Sequence, residues 1–330
     1  MTIRKFLFAA VAAMAAAIAV APAQAAQKVR IGYWTSGVSL GYGAVLEAKD
    51  FLKQRGVDAE FVHFPDVNAP LRALASGSID LAFGAPLAGV FSTAAEGVPV
   101  KIFAATQPAD VQFVVPIDSP ITSIAELKGK KVGMSPAGSS AAVIASAVLA
   151  GNYGIKSDDF SLVGGNESRL VQFLAQKQID AAALRSVTVA QIDSELKVKK
   201  LGGFVEEWKK LTKSDALPYN GVGAASTSLI TSQPETIATV IAALRDTVVW
   251  GSAHQNEVAA ILQKSADLPA NDARVYAENW DAMYRVTFEP ADIASLKRQH
   301  EVLASGGFIK GALNDDLFVT APYEHSKTLK

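Results

Sequence analysis

Leu74-Ala75-Ser76-Gly77-Ser78-Ile79-Asp80-Leu81-Ala82 returns one hundred residues later as Leu174-Ala175-Gln176-Lys177-Gln178-Ile179-Asp180-Ala181-Ala182. Nearly the same offset, 101, carries Arg30-Ile31-Gly32-Tyr33 onto Lys131-Val132-Gly133-Met134. Around both copies the elements recur in one order. Residues 28–34 read as a buried strand, Thr35-Ser36-Gly37 as a turn, and the apolar period that follows as a helix to about Gln54. Residues 59–64 form a second strand, 68–76 a short helix closed by Gly77-Ser78, and 79–83 a third strand. In the second copy the strands fall at 131–134, 160–163 and 179–184, with helices at 141–150 and 169–176. The reading is an α/β chain of two similar lobes. Each is a mainly parallel sheet with helices on both faces, which puts ligands at the carboxyl ends of the strands.

Working outward, the apolar runs 111–115 and 224–230 read as the two segments that cross between lobes. From Pro234 onward the period is helical, at 236–250, 256–264, 271–283 and 290–305, with a stop at Gly306-Gly307. These helices are expected to pack back onto the first lobe. Lobe 1 would then comprise 26–108 and 226–330, and lobe 2 109–225. Residues 1–25 read as a cleaved secretory signal, with Arg4 and Lys5 before an uncharged run and Ala23-Gln24-Ala25 at its end. That run of about 15 residues is short of the roughly 20 needed to span a bilayer.

Composition narrows the function. The chain has 330 residues with 31 basic and 32 acidic side chains, so its net charge of −1 gives no general field for nucleic acid. Cysteine is absent, which excludes a disulfide frame, a zinc-cysteinate site, a thiol nucleophile and a lipidated cysteine. The four histidines, His63, His254, His300 and His325, show no metal-ligand spacing, and no cofactor is expected. Gly41-Tyr42-Gly43 fails as a dinucleotide fingerprint because Leu46 stands where the third glycine belongs.

Candidate ligand contacts come from the strand ends. Gly138-Ser139-Ser140 lies at a strand-to-helix junction, where free amides and the helix dipole favour anions, although a serine there also caps a helix. Trp34-Thr35-Ser36 holds the matching place in lobe 1, and Gly84-Ala85 follows that lobe's third strand. Arg185, one hundred residues after Ala85, is placed at the equivalent end in lobe 2. Its guanidinium suits a carboxylate or sulfonate, and the competing reading pairs it with Glu167 or Asp193. Gln107 and Asn166 complete the set.

Residues 29–33, 74–83 and above all Ile124-Ala125-Glu126-Leu127-Lys128-Gly129-Lys130-Lys131-Val132-Gly133 with Gly138-Ser139-Ser140 resemble the substrate-binding proteins of ABC importers. The nitrate, sulfonate and taurine branch is the nearest. The resemblance spans about residues 28–305 and implies the two-lobed type II periplasmic binding fold. It also implies that one small organic anion is held between the lobes and handed to an inner-membrane permease, with nothing catalysed, while two lobes joined by two crossing segments are expected to form a monomer that closes on its ligand. Where many relatives carry a Trp-Asp-Pro-like segment, this chain has Leu184-Arg185-Ser186-Val187. The rival classes are a biosynthetic enzyme on the same scaffold and a sensory ligand-binding protein.

Overall fold

The hundred-residue repeat is built from three contacts that occur twice. In the computed structural model, which describes residues 28–193 and 195–329, Asp80 accepts a bond from the Arg30 amide at 2.9 Å, and Asp180 one from the Lys131 amide at 2.8 Å. The Asp80 and Asp180 amides in turn donate to the carbonyls of Arg30 and Lys131, each at 2.9 Å. Ile79 and Ile179 then lie over Gly32 and Gly133, where an added Cβ would meet their Cδ1 atoms at 2.4 and 2.6 Å. Each trio pins the third strand of a lobe beside the first. The expected leader at 1–25 and its expected cleavage point lie outside the described residues.

Strands β1 (Val29–Trp34), β2 (Ala59–Phe64) and β3 (Leu81–Pro86) are parallel, as are β6 (Lys131–Met134), β7 (Ser161–Gly164) and β8 (Ala181–Arg185). With β4 (Val100–Pro108), β5 (Val111–Pro116), β9 (Val198–Gly203) and β10 (Tyr219–Ser226), two five-stranded sheets form. Their orders are β2-β1-β3-β10-β4 and β7-β6-β8-β5-β9. β10 runs antiparallel to β3 and β4, and β5 antiparallel to β8 and β9. The same slot in each sheet is thus filled by a strand that has just crossed from the other lobe.

This order corrects the expected crossings. Residues 111–115 are not a linker but β5, inside the second sheet. The first crossing shrinks to Ala109-Asp110, and the second lies at 213–218 rather than 224–230. β10 belongs to the first sheet, so residues 219–225 join lobe 1 rather than lobe 2. The stretch from 227 is a helix, Thr227–Ser232, capped by the Ser226 hydroxyl.

Sequence and structure agree on the C-terminal helices Pro234–Ala253, Gln255–Ser265 and Pro290–Ser305, while the expected 271–283 helix is broken into Ala270–Glu278 and Trp280–Met283. The first helix also breaks, after Ala48, where Asp50 takes φ +53° before a short turn resumes at Phe51–Gln54. No described helix is long and apolar enough to cross a membrane.

Filling the glycine seat in the repeat overpacks the sheet. Gly133→Val is expected to cost about 1–3 kcal/mol, read as a lower urea midpoint at unchanged slope. A midpoint equal to that of the wild type would mean that Ile179 repacks freely.

Candidate functional site

Both lobes send their strand ends toward one seam, and four contacts hold it. The Asn68 side-chain amide donates to the Ala137 carbonyl at 3.3 Å, and the Ala88 amide to the Ser140 hydroxyl at 3.0 Å. On the far rim the Gln191 amide donates to the Asp272 carbonyl at 3.3 Å. In the middle, the Arg185 guanidinium lies 5.1 Å from the centre of the Trp34 ring, a cation–π contact from one lobe to the other.

Trp34, Gly84, Gln107 and Asn220 from lobe 1 and Ser139, Ser140, Ala141 and Arg185 from lobe 2 surround a single cavity, with Val67 and Pro86 closing it. About 10 Å³ inside is open to a water's centre, room for about one water. Trp34 is set by its indole N–H, 3.3 Å from the Pro65 carbonyl. Gly84 has φ +69°, and a Cβ there would lie 2.5 Å from the Gln107 side-chain nitrogen. That nitrogen donates to the Ser39 hydroxyl at 3.0 Å.

The helix Ser140–Tyr153 points its N-terminus at the cavity. Ser139 caps it, its hydroxyl accepting from the Ala142 amide at 3.3 Å. The Ser140 hydroxyl is occupied by Ala88, but the Ser140 and Ala141 amides find no partner among the described residues. These two first-turn N–H groups are the free end of the helix dipole.

Arg185 lines the cavity and is also paired. Its Nη1 donates to Glu167 Oε1 at 2.6 Å and its backbone amide to the same oxygen at 3.1 Å, while the Thr188 hydroxyl donates to Oε2. The Arg185 and Glu167 side chains are only 6% and 9% exposed, so solvent does not screen the pair. Two side-chain atoms in the cavity wall are buried without a partner among the described residues: Arg185 Nε, a donor, and Asn220 Oδ1, an acceptor.

Beyond Glu167 a second pocket of about 300 Å³ opens at the rim, lined by Ser36, Gln191, Glu195, Asp272 and Tyr276 among others. Burial, and then the charge of Glu195, push the Asp272 carboxyl above its ordinary value. Burial also raises the Tyr276 phenol far above its usual range, so it stays a donor, and it bonds the Gly37 carbonyl.

Of the residues proposed from sequence, Trp34, Gly84, Gln107, Ser139, Ser140 and Arg185 meet around the cavity, and Ser36 lines the neighbouring pocket. Four lie elsewhere. The Thr35 hydroxyl is tied to the Phe64 carbonyl, Ala85 is fully buried in β3, and Gly138 provides the turn at φ +82°. Asn166 is an exposed N-cap, accepting from the Arg169 amide at 3.0 Å. Asn220 was missed because it precedes Gly221 in a stretch that carries no strand alternation; a lone amide beside an apolar run was its only signal.

Two lobes with crossed strands face one cleft lined from both sides, and the family profile described as "NMT1/THI5 like" matches residues 44–258. The chain belongs to the NMT1/THI5-like family. Among its relatives, a candidate binding protein of Brucella abortus is 26% identical over 295 residues, 88% of this chain and 85% of the relative. Two solved structures share the family member's fold. The alkanesulfonate-binding protein of Xanthomonas axonopodis pv. citri, bound to MOPS, superposes with a TM-score of 0.74 at 19% identity, over 89% of this chain and 98% of that one. A desulfurization enzyme superposes at 0.67 with 13% identity, over 91% and 99%. The NMT1/THI5-like chain therefore has the two-lobed periplasmic binding protein fold, as its sequence resemblance implies.

Proposed function

We propose that the protein captures a small organic solute between its lobes and delivers it to an ABC permease in the inner membrane. The observation that carries this reading is the cavity: two unpaired amides at a helix N-terminus face an aromatic wall and a free side-chain amide across a seam between lobes. Such a set holds an acidic group at one end and a carbon skeleton beside it. The solute in this reading is a sulfonate or carboxylate, taurine-like in size. Export with cleavage before Ala26 and a monomeric mature chain belong to the same proposal.

Catalysis has little to rest on. The cavity wall holds no histidine, lysine or carboxylate to act as a base for its serines, whose hydroxyls are already engaged. The likeness to a desulfurization enzyme, at 13% identity, is one of fold.

A cavity with room for one water admits a solute only when the lobes part. Two crossings, at Ala109-Asp110 and 213–218, allow that without breaking either sheet. A thermal-shift panel of small sulfonates, carboxylates and amino acids tests capture. A true ligand at one hundred times Kd adds about 2.7 kcal/mol, and small-angle scattering should then show a smaller radius of gyration. No shift from any solute, with nothing small released on denaturing protein purified from its own cells, would count against the proposal.

A further inference from the structure

We infer that Glu167 is the specificity-determining residue of the cleft, a charge filter that turns away plain anions and leaves the site to internal salts. This deepens the solute-capture reading and rests on it. Arg185 is the charged side chain in the cavity wall among the described residues, and the notional anion site depends on it. Its charge is already matched. Glu167 holds Nη1 at 2.6 Å and the Arg185 amide at 3.1 Å, and Thr188 holds the other carboxylate oxygen. All three residues lie in lobe 2, within the helix Glu167–Ala175, the end of β8 and the helix that follows it. Opening the lobes therefore leaves the pair intact.

A solute entering this wall meets no net charge. What remains is a helix end worth about half a charge, with the fully buried Nε of Arg185 as an unpaired donor and the buried Oδ1 of Asn220 as an unpaired acceptor. A monoanion would leave its hydration shell for partners that lack a full counter-charge, and a buried ion without one is disfavoured. A molecule that carries an acid and an ammonium together brings its own counter-charge. Its acid fits the Ser140 and Ala141 amides with Arg185 Nε, and its ammonium fits Asn220 Oδ1. Donor and acceptor come from opposite lobes, so such a solute would bond to both.

The test uses methanesulfonate, with dimethyl sulfone as its uncharged counterpart of similar shape, titrated calorimetrically into wild type and Glu167→Gln. Wild type is expected to bind methanesulfonate more weakly than about 10 mM, and Glu167→Gln to gain at least tenfold, or about 1.4 kcal/mol, with no gain for dimethyl sulfone. If Glu167→Gln is unfolded alone, the same titration is followed as recovery of far-UV ellipticity, and methanesulfonate but not dimethyl sulfone should restore it. Thr188→Val, which keeps the carboxylate, should reject methanesulfonate as wild type does. Tight wild-type binding of methanesulfonate would overturn the filter while upholding capture. A gain below threefold in a folded Glu167→Gln, no recovery of an unfolded one, or an equal gain in Thr188→Val would overturn the filter by itself. A silent solute panel with a positive Glu167→Gln result would instead remove capture, and with it the filter's role in solute choice, leaving only the matching of the Arg185 charge by Glu167.

Discussion

Arg185→Ala is expected to lower the unfolding free energy by about 3–5 kcal/mol, because it strands a buried carboxylate rather than removing a surface charge. Glu167 is 7% exposed and takes two of its bonds from Arg185, so the alanine variant leaves it with the residue-185 amide and the Thr188 hydroxyl. The Arg185 backbone amide survives the substitution, but the counter-charge does not. Removing both charges should recover much of the loss, since Arg185→Met with Glu167→Gln leaves no ion to desolvate. A double-mutant cycle by urea unfolding reads the coupling directly. A loss below about 1 kcal/mol in Arg185→Ala, the range of exposed pairs, would show that water reaches the pair.

Trp280→Ala should cost a similar amount, about 3–5 kcal/mol, for a different reason. Trp280 is fully buried, its indole N–H donates to the Val248 carbonyl at 3.0 Å, and its ring meets Tyr284 edge-on at 4.5 Å and Tyr42 in a stack at 6.2 Å. Gly251 exists there to make room, since a Cβ would lie 2.1 Å from the indole. The cluster also reaches the cleft. The Tyr284 hydroxyl donates to the Val38 carbonyl at 2.5 Å and the Tyr276 hydroxyl to that of Gly37, so the C-terminal helices hold the turn that carries Trp34 and Ser36. Trp280→Ala is therefore expected to weaken solute binding as well as stability, whereas Trp280→Phe keeps most of both. A stability loss under 2 kcal/mol would mean that the cluster collapses into the gap.

The repeat was legible because its signals are local. Glycine under isoleucine and aspartate on the neighbouring amide are fixed by contacts that recur within each copy, so the residue types recur too. β10 was not legible. Tyr219-Asn220-Gly221-Val222-Gly223 interrupts any alternation, and the pairing of that strand shifts register between Tyr219 and Gly221, at Gly221/Val222 and at Gly223/Ala224. The apolar run 224–230, which overlaps its end, read instead as a segment crossing between lobes. In the cleft, strand ends were readable from the offset of one hundred. The arginine's partner was legible as one of two carboxylates, Glu167 or Asp193, and the structure settles it on Glu167, the residue of its helix's first turn that faces β8. Asn166 turns outward as a cap, and its neighbour takes the arginine.

The place of β10 fixes an order of assembly. Lobe 2 is one continuous run, from β5 at Val111 to the helix ending at Thr212, and every strand of its sheet is available once that run exists. The first sheet lacks its fourth strand, and so the link from β3 to β4, until Tyr219–Ser226 arrives, more than one hundred residues after β4. Closing so long a loop is slow, because its entropy is lost before the contacts that reward it form. The second lobe, with its Arg185–Glu167 pair, is thus expected to fold ahead of the first lobe, whose C-terminal half is synthesised last, and slow refolding phases are expected from lobe 1.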